Sequence, residues 1–202
     1  MCGRYFLEES PELRPIVEEM NRSPLMPLFQ DGPPITALGE IRPSAVAPVI
    51  AYSKAGRRTV YPMKWGFTGK SGLLINARVE TAAEKPTFRD AWLAHRCAAP
   101  ASCYYEWEHL TGTNGKKALG PKYAIRPEGT KTAWLCGLYR MEQGVPVFVI
   151  LTREPDDNIR FIHDRMPLML PQDAVDEWIR PGAKPEALLP RARQKMIFEK
   201  VV

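Results

Sequence analysis

The chain predicts a single α+β domain, with largely antiparallel sheets forming a partly closed barrel and a few helices on its flanks. Three observations carry this. Short apolar runs rich in β-branched and aromatic residues, each bounded by Gly or Pro, recur about every ten to twenty residues. Helical signals are fewer and do not alternate strictly with the strands, which argues against a parallel βαβ sheet. The 202 residues contain no internal repeat and no dividing linker, and that length suits one domain, here taken as residues 1–202.

In chain order, Ser10-Pro11 reads as an N-cap followed by an N1 proline, opening a helix that runs to about Met20. Residues 21–35 carry four prolines and read as irregular surface chain. Strands are expected over 45–52, 60–67 and 73–77. A helix follows over 87–95, then strands over 96–99, 103–107, 122–125, 133–139 and 145–152. The polar Gly/Lys stretch 112–120 reads as a hairpin tip, and helices are expected over 156–162 and 173–179, each with acids near its start.

Composition narrows the function. With 45% hydrophobic and 25% charged residues, the chain is neither disordered nor collagen-like, and it has no apolar stretch of the ~18 residues a membrane span needs. The N-terminus lacks the apolar region of a secretory signal, so the expected location is cytoplasmic, at the nucleoid when bound to DNA. Cys2, Cys97, Cys103 and Cys136 are widely spaced and lack metal-ligand spacing, which points to reduced thiols and neither a disulfide framework nor a metal site. The formal charge of +5 is modest, but the basicity is local. Residues 41–79 hold Arg42, Lys54, Arg57, Arg58, Lys64, Lys70 and Arg78 with no Asp or Glu.

Cys2 is the chemically distinctive residue. Once Met1 is removed, thiol and α-amine share one Cα, and their ordinary pKa values of ~8.5 and ~8 leave part of each nucleophilic at neutral pH. Such a pair suits N-terminal-nucleophile amide hydrolysis. It equally suits aldehyde capture, in which the amine forms a Schiff base and the thiol closes a thiazolidine, favoured because the second attack is intramolecular. Three further polar groups stand in apolar surroundings. Asn76 and Arg78 end the run Leu73-Leu74-Ile75, Glu106 lies between aromatics in Tyr104-Tyr105-Glu106-Trp107, and His163 follows the predicted helix over 156–162. Aromatic surroundings raise a carboxyl's pKa and suit it to proton transfer.

The chain resembles the SRAP (SOS-response-associated peptidase) family of abasic-site-processing proteins. The resemblance runs in the family's order through Met1-Cys2-Gly3-Arg4-Tyr5, Lys64-Trp65-Gly66-Phe67, Asn76-Ala77-Arg78-Val79-Glu80-Thr81, Lys85-Pro86-Thr87-Phe88-Arg89, Pro100-Ala101-Ser102, Tyr105-Glu106-Trp107, Ile150-Leu151-Thr152 and His163-Asp164-Arg165-Met166-Pro167. It implies an SRAP-like fold, removal of the protein's own Met1, and a thiazolidine crosslink from Cys2 to the aldehyde of an abasic site in single-stranded DNA. It also implies that Asn76 holds the Cys2 amine, Glu106 acts as acid/base in self-processing and Schiff-base chemistry, and His163 acts as acid/base on the sugar hydroxyl. Arg4, Arg78 and Arg165 would grip phosphates, Trp65 would stack on an unpaired base, and Thr152 would line the site. Lys64 and Lys70 would add charge along the strand; Lys70 lies in Thr68-Gly69-Lys70-Ser71-Gly72, which is shorter than the family's segment and lacks its Pro and Trp. Cys103 is expected as packing. The implied partner is single-stranded DNA bearing abasic sites, bound by a monomer without cofactor. Two other readings stay open: a self-processing N-terminal-cysteine amidohydrolase that has no need of the basic window, and a non-catalytic reader of modified or single-stranded DNA.

Overall fold

Val46–Tyr52 and Val145–Arg153 are almost continuously apolar and buried along both edges of their pleat, as strands become when a sheet closes on itself and is also covered outside. The computed structural model describes residues 2–111 and 117–201, so residues 112–116 of the predicted hairpin tip lie outside it. In chain order the strands are β1 (Arg4–Leu7), β2 (Gly39–Ile41), β3 (Val46–Tyr52), β4 (Arg58–Trp65), β5 (Phe67–Gly69), β6 (Gly72–Leu74), β7 (Asn76–Arg78) and β8 (Arg96–Ala101). They continue with β9 (Cys103–Thr111), β10 (Lys117–Pro127), β11 (Ala133–Glu142), β12 (Val145–Arg153), β13 (Met166–Pro167), β14 (Met169–Leu170) and β15 (Met196–Val201). The α-helices are α1 (Arg14–Asn21), α2 (Val79–Ala82), α3 (Pro86–Ala94), α4 (Gln172–Ile179) and α5 (Pro185–Leu188). Among them no helix is long and apolar enough to cross a membrane.

Five strands close a barrel in the order β12–β4–β3–β8–β11 and back to β12. The β11–β12 hairpin turns through Gln143 and Gly144, both at positive φ, the two-residue geometry that matches strand twist. A second sheet, β15–β10–β9–β1–β2, carries the N-terminal segment. The expected antiparallel character holds for most strand pairs, but β12 pairs parallel with both β4 and β7. These pairings explain how the expected strand over 60–67 breaks. Gly66 has φ +120°, and a Cβ there would meet the Leu73 side chain at 2.5 Å, so only glycine lets the chain leave β4 for the small β5–β6 hairpin and return beside β12 as β7.

The first helix starts later than expected. Ser10 caps a turn by accepting the Leu13 N–H, and α1 begins at Arg14 with Pro15 in its first turn. The expected helix over 156–162 is only a 3₁₀ turn, Asp157–Ile159. Its buried residues Ile159 and Ile162 are three apart while Phe161 is exposed, so one tight turn buries all there is to bury. The helix over 87–95 and the helix over 173–179 appear as α3 and α4, while the short strands β1, β2, β13, β14 and β15 were not anticipated.

Candidate functional site

β1 pairs with β9 so that Arg4 lies opposite Tyr105 and Tyr5 opposite Tyr104. This delivers Cys2, two residues before the strand and fully buried, where its Sγ donates to the Arg4 carbonyl at 3.7 Å. Burial pushes the Cys2 thiol far up, and the charge of Glu106 pushes it further. Glu106 stands on β9 opposite Tyr123, and burial lifts its carboxyl above the usual range against a lowering bond from the Trp107 backbone N–H. Tyr104 feels both: burial raises its phenol, and the charges of Cys2 and Glu106 add to the rise. Thiol, carboxyl and phenol thus form one electrostatically coupled group, which water reaches poorly.

His163 follows the 3₁₀ turn. Its Nδ1 lies 2.9 Å from the Arg165 backbone N and 2.9 Å from the Asp164 carboxylate. Burial lowers its pKa to about 4, with Asp164 opposing and His109 reinforcing the shift. The His109 ring lies 4.4 Å away, centroid to centroid, and the His109 N–H donates to Ile162 O. β12 aligns the other side of the site. Ile150 opposes Asn76, while Thr152 opposes Arg78 on one flank and Pro167 on the other. Asn76 Nδ2 donates to Ile150 O at 3.4 Å; its Oδ1 is buried with no hydrogen-bond partner among the described residues. That oxygen is an acceptor available to an amine.

The remaining expected contacts divide. Arg78 is exposed at the start of α2. Arg4 lies with its guanidinium 5.1 Å from the Trp107 ring centre and pairs with Glu40 at 3.2 Å. Arg165 is not open to a phosphate here. It holds Glu80 through two bonds of 2.9 and 2.7 Å and the Thr152 carbonyl at 2.7 Å. Burial alone would raise the Glu80 carboxyl, but the bonds from Arg165 outweigh it and hold it low. The Thr152 hydroxyl is fully buried and donates to Ala77 O, so it braces β7 and does not line an open site.

Trp65 requires a correction. It is wholly buried, donates Nε1–H to Ile75 O at 2.9 Å, and packs between Tyr5 and Phe148, so it offers no face to a base. An aromatic within an apolar run is core unless the run is exposed, and this run is a barrel strand. The basic window is likewise not one surface. Lys64 lies opposite Val147, five residues or roughly 16 Å along β12 from Thr152, and Lys70 sits in the β5–β6 turn. Arg58 is at the other end of β4, ion-paired with Asp176 at 3.4 Å. Glu40, Glu80 and His109 touch Arg4, Arg165 and His163, and Lys122 bonds Glu40; sequence reasoning does not find these four. Glu80 lies 85 residues from Arg165, and no local pattern joins them.

The family model for SRAP, SOS response associated peptidase, matches residues 1–201. The chain is 31% identical over 198 residues to the abasic site processing protein YoaM of Bacillus subtilis, covering 90% of this chain and 80% of that one. It is 30% identical over 189 residues to the abasic site processing protein YedK of Escherichia coli, covering 89% and 80%. A crystal structure of a Bacteroides thetaiotaomicron protein superposes with a TM-score of 0.74 at 20% identity, covering 100% of this chain and 92% of that one. A phage-related protein from Bordetella bronchiseptica superposes with 0.71 at 22% identity, covering 99% and 94%. These two show the shared fold.

Proposed function

The chain belongs to the SOS response associated peptidase family, and from that premise we propose that it processes abasic sites in single-stranded DNA by joining them covalently to Cys2. Relatives named as abasic site processing proteins support the substrate. The observation that carries the chemistry is the full burial of Cys2 with its thiol coupled to the charge of the buried Glu106.

Hydrolysis of the Met1–Cys2 peptide bond adds one water and frees the α-amine, with Glu106 taking a proton from the attacking group. Asn76 Oδ1 accepts from that amine and aims its lone pair. The ring-opened abasic sugar presents an aldehyde; the amine adds to C1′, and Glu106 returns a proton so that the hydroxyl leaves as water and an iminium forms. The ionised Glu106 stabilises that cation in a site where charges interact strongly. The thiol, kept protonated until then by burial and by Glu106, adds to the same carbon, and its proton passes by way of Glu106, leaving the ring nitrogen neutral. A C–N and a C–S bond have formed, and one water has left. His163, neutral, donates to or accepts from the sugar hydroxyl during ring opening. Arg4 and Arg78 hold the flanking phosphates.

Intact mass spectrometry before and after incubation with abasic single-stranded DNA tests this. The expected result is a protein lacking Met1 that gains the oligonucleotide less one water, and Cys2→Ala abolishes the gain. An unchanged adduct yield in Cys2→Ala overturns the proposal.

A further inference from the structure

Alternation along β9 turns Glu106 toward the buried site and sends Tyr105 and Trp107 to the opposite, outer face of the five-stranded sheet. The cross-strand partners of these two are Arg4, opposite Tyr105, and Lys122, opposite Trp107, and directly opposed residues share a face. Phe6 continues that face opposite Cys103 and meets Tyr105 edge-on, with ring centres 6.4 Å apart. Every ring here is only partly covered, and each cation lies over a ring. Lys122 Nζ is 3.7 Å from the Tyr105 centre and 5.5 Å from that of Trp107, and Arg4 is 5.1 Å from Trp107.

The charges are unbalanced. Arg4, Arg42 and Lys122 all bond one carboxylate, Glu40, at 3.2, 2.7 and 3.1 Å. One anion against three cations leaves a local excess that attracts a polyanion. Beyond Tyr105 the face dips into a hollow of about 370 Å³ lined by Phe6, Cys103, Tyr105, Arg126 and Glu199. Aromatic rings interleaved with cations on an open sheet are the arrangement that binds unpaired bases by stacking and their phosphates by charge.

We propose that this outer face, from Trp107 through Tyr105 to the Phe6–Arg126 hollow, is a binding track for single-stranded DNA continuous with the Cys2 site. It rests on the proposed function in taking the lesion-bearing strand as its occupant. Arg4 joins the two regions, since it lies two residues from Cys2 and already touches Trp107. A base stacks on Tyr105 once a phosphate draws the flexible Lys122 ammonium from the ring.

The test is fluorescence anisotropy of the full-length protein with undamaged oligothymidylates spanning about 4–16 nucleotides. Wild-type affinity should climb with length. Tyr105→Leu should lose about 5- to 150-fold on the longer oligomers and little on the shortest, the effect of one lost stacked base. Lys122→Gln should flatten the salt dependence by about 0.7. The track is overturned if both variants, folded by circular dichroism, bind every length as wild type does. It is also overturned if the face instead joins two copies of the chain in gel filtration and DNA does not compete. Adduct yield of the wild type separates the two proposals. Length-dependent binding without an adduct keeps the track and removes the crosslinking reading, whereas adduct formation with unaltered variant binding does the reverse.

Discussion

Trp65→Phe separates a core residue from a base-stacking one. The structure assigns two losses. The indole N–H bond to Ile75 O disappears, but that carbonyl keeps the Ile150 N–H at 3.1 Å, so the loss is one neutral hydrogen bond, about 0.5–1.5 kcal/mol. The smaller ring also opens a void between Tyr5 and Phe148. A full Trp→Ala change costs about 3–5 kcal/mol, and keeping a six-membered ring limits this part to about 1–2 kcal/mol. The two act on one spot and do not simply add, so about 2 kcal/mol is expected, a sizeable share of the ~5–15 kcal/mol that holds a domain together. For a chain of 202 residues that lowers Tm by roughly 4–8 °C. Urea titration followed by far-UV circular dichroism measures the loss, and anisotropy on the folded fraction measures binding to single-stranded DNA. Affinity per folded molecule should stay within about twofold. A stability change below about 1 kcal/mol, or a tenfold loss of affinity in folded protein, refutes the assignment of Trp65 to the core.

Two further outcomes follow from the rim of the site. Glu80→Gln releases Arg165; because Glu80 is nearly half exposed the pair contributes less than about 1 kcal/mol to stability, while affinity for single-stranded DNA should rise and its salt dependence steepen by about 0.7, and an unchanged affinity in anisotropy contradicts the idea that Glu80 competes with phosphate. The folded pKa of His163 is lowered from 6.5 to about 4, so the unfolded chain takes up the proton first as pH falls; the stability tied to its neutral form is complete above pH 6.5 and is lost on the way down to about 4. Urea midpoints across that window should fall less steeply in His163→Gln than in wild type, and parallel slopes refute the assignment.

Much of the barrel is legible because its strands are buried on both faces and stand out as unbroken apolar runs, as Val46–Tyr52 and Val145–Arg153 do. The strands that hold the site are less legible for a matching reason. β1 has four residues, β2 three, and β13 and β14 two each, too short for a period to declare itself, and they exist only because β9, β12 and β11 pair with β1, β13 and β14, and β1 in turn with β2. Among the candidate site residues, Cys2 can be found from its place behind Met1, and Glu106 and His163 as reactive groups set among apolar neighbours, and burial shifts all three. Their partners cannot. Glu40 meets Arg4 across 36 residues and Lys122 across 82, so only the folded sheet shows that three cations share one acid.

The basic window illustrates how strand geometry redistributes a linear signal. Seven cations without an acid suggest one positive face, yet four of them, Lys54, Arg57, Arg58 and Lys64, lie on the β3–β4 hairpin. Arg58 and Lys64 are six residues apart on β4, roughly 20 Å, which exceeds the ~8–10 Å over which exposed charges act at ordinary salt. Arg58 meets Asp176 at one end, and Lys64 lines a hollow with Glu142 at the other. Only Arg42 and Arg78 of the window reach the elements around Cys2, Arg42 through Glu40 and Arg78 through its place opposite Thr152. The cations nearest the nucleophile's strand come mainly from elsewhere: Arg4, on β1 two residues after Cys2, and Lys122, on β10 and bonded like Arg4 to Glu40, each brought in by pairing with β9. Charge reversal at Arg57 and Arg58 should therefore leave binding of abasic single-stranded DNA nearly intact, while reversal at Arg4 or Lys122 weakens it.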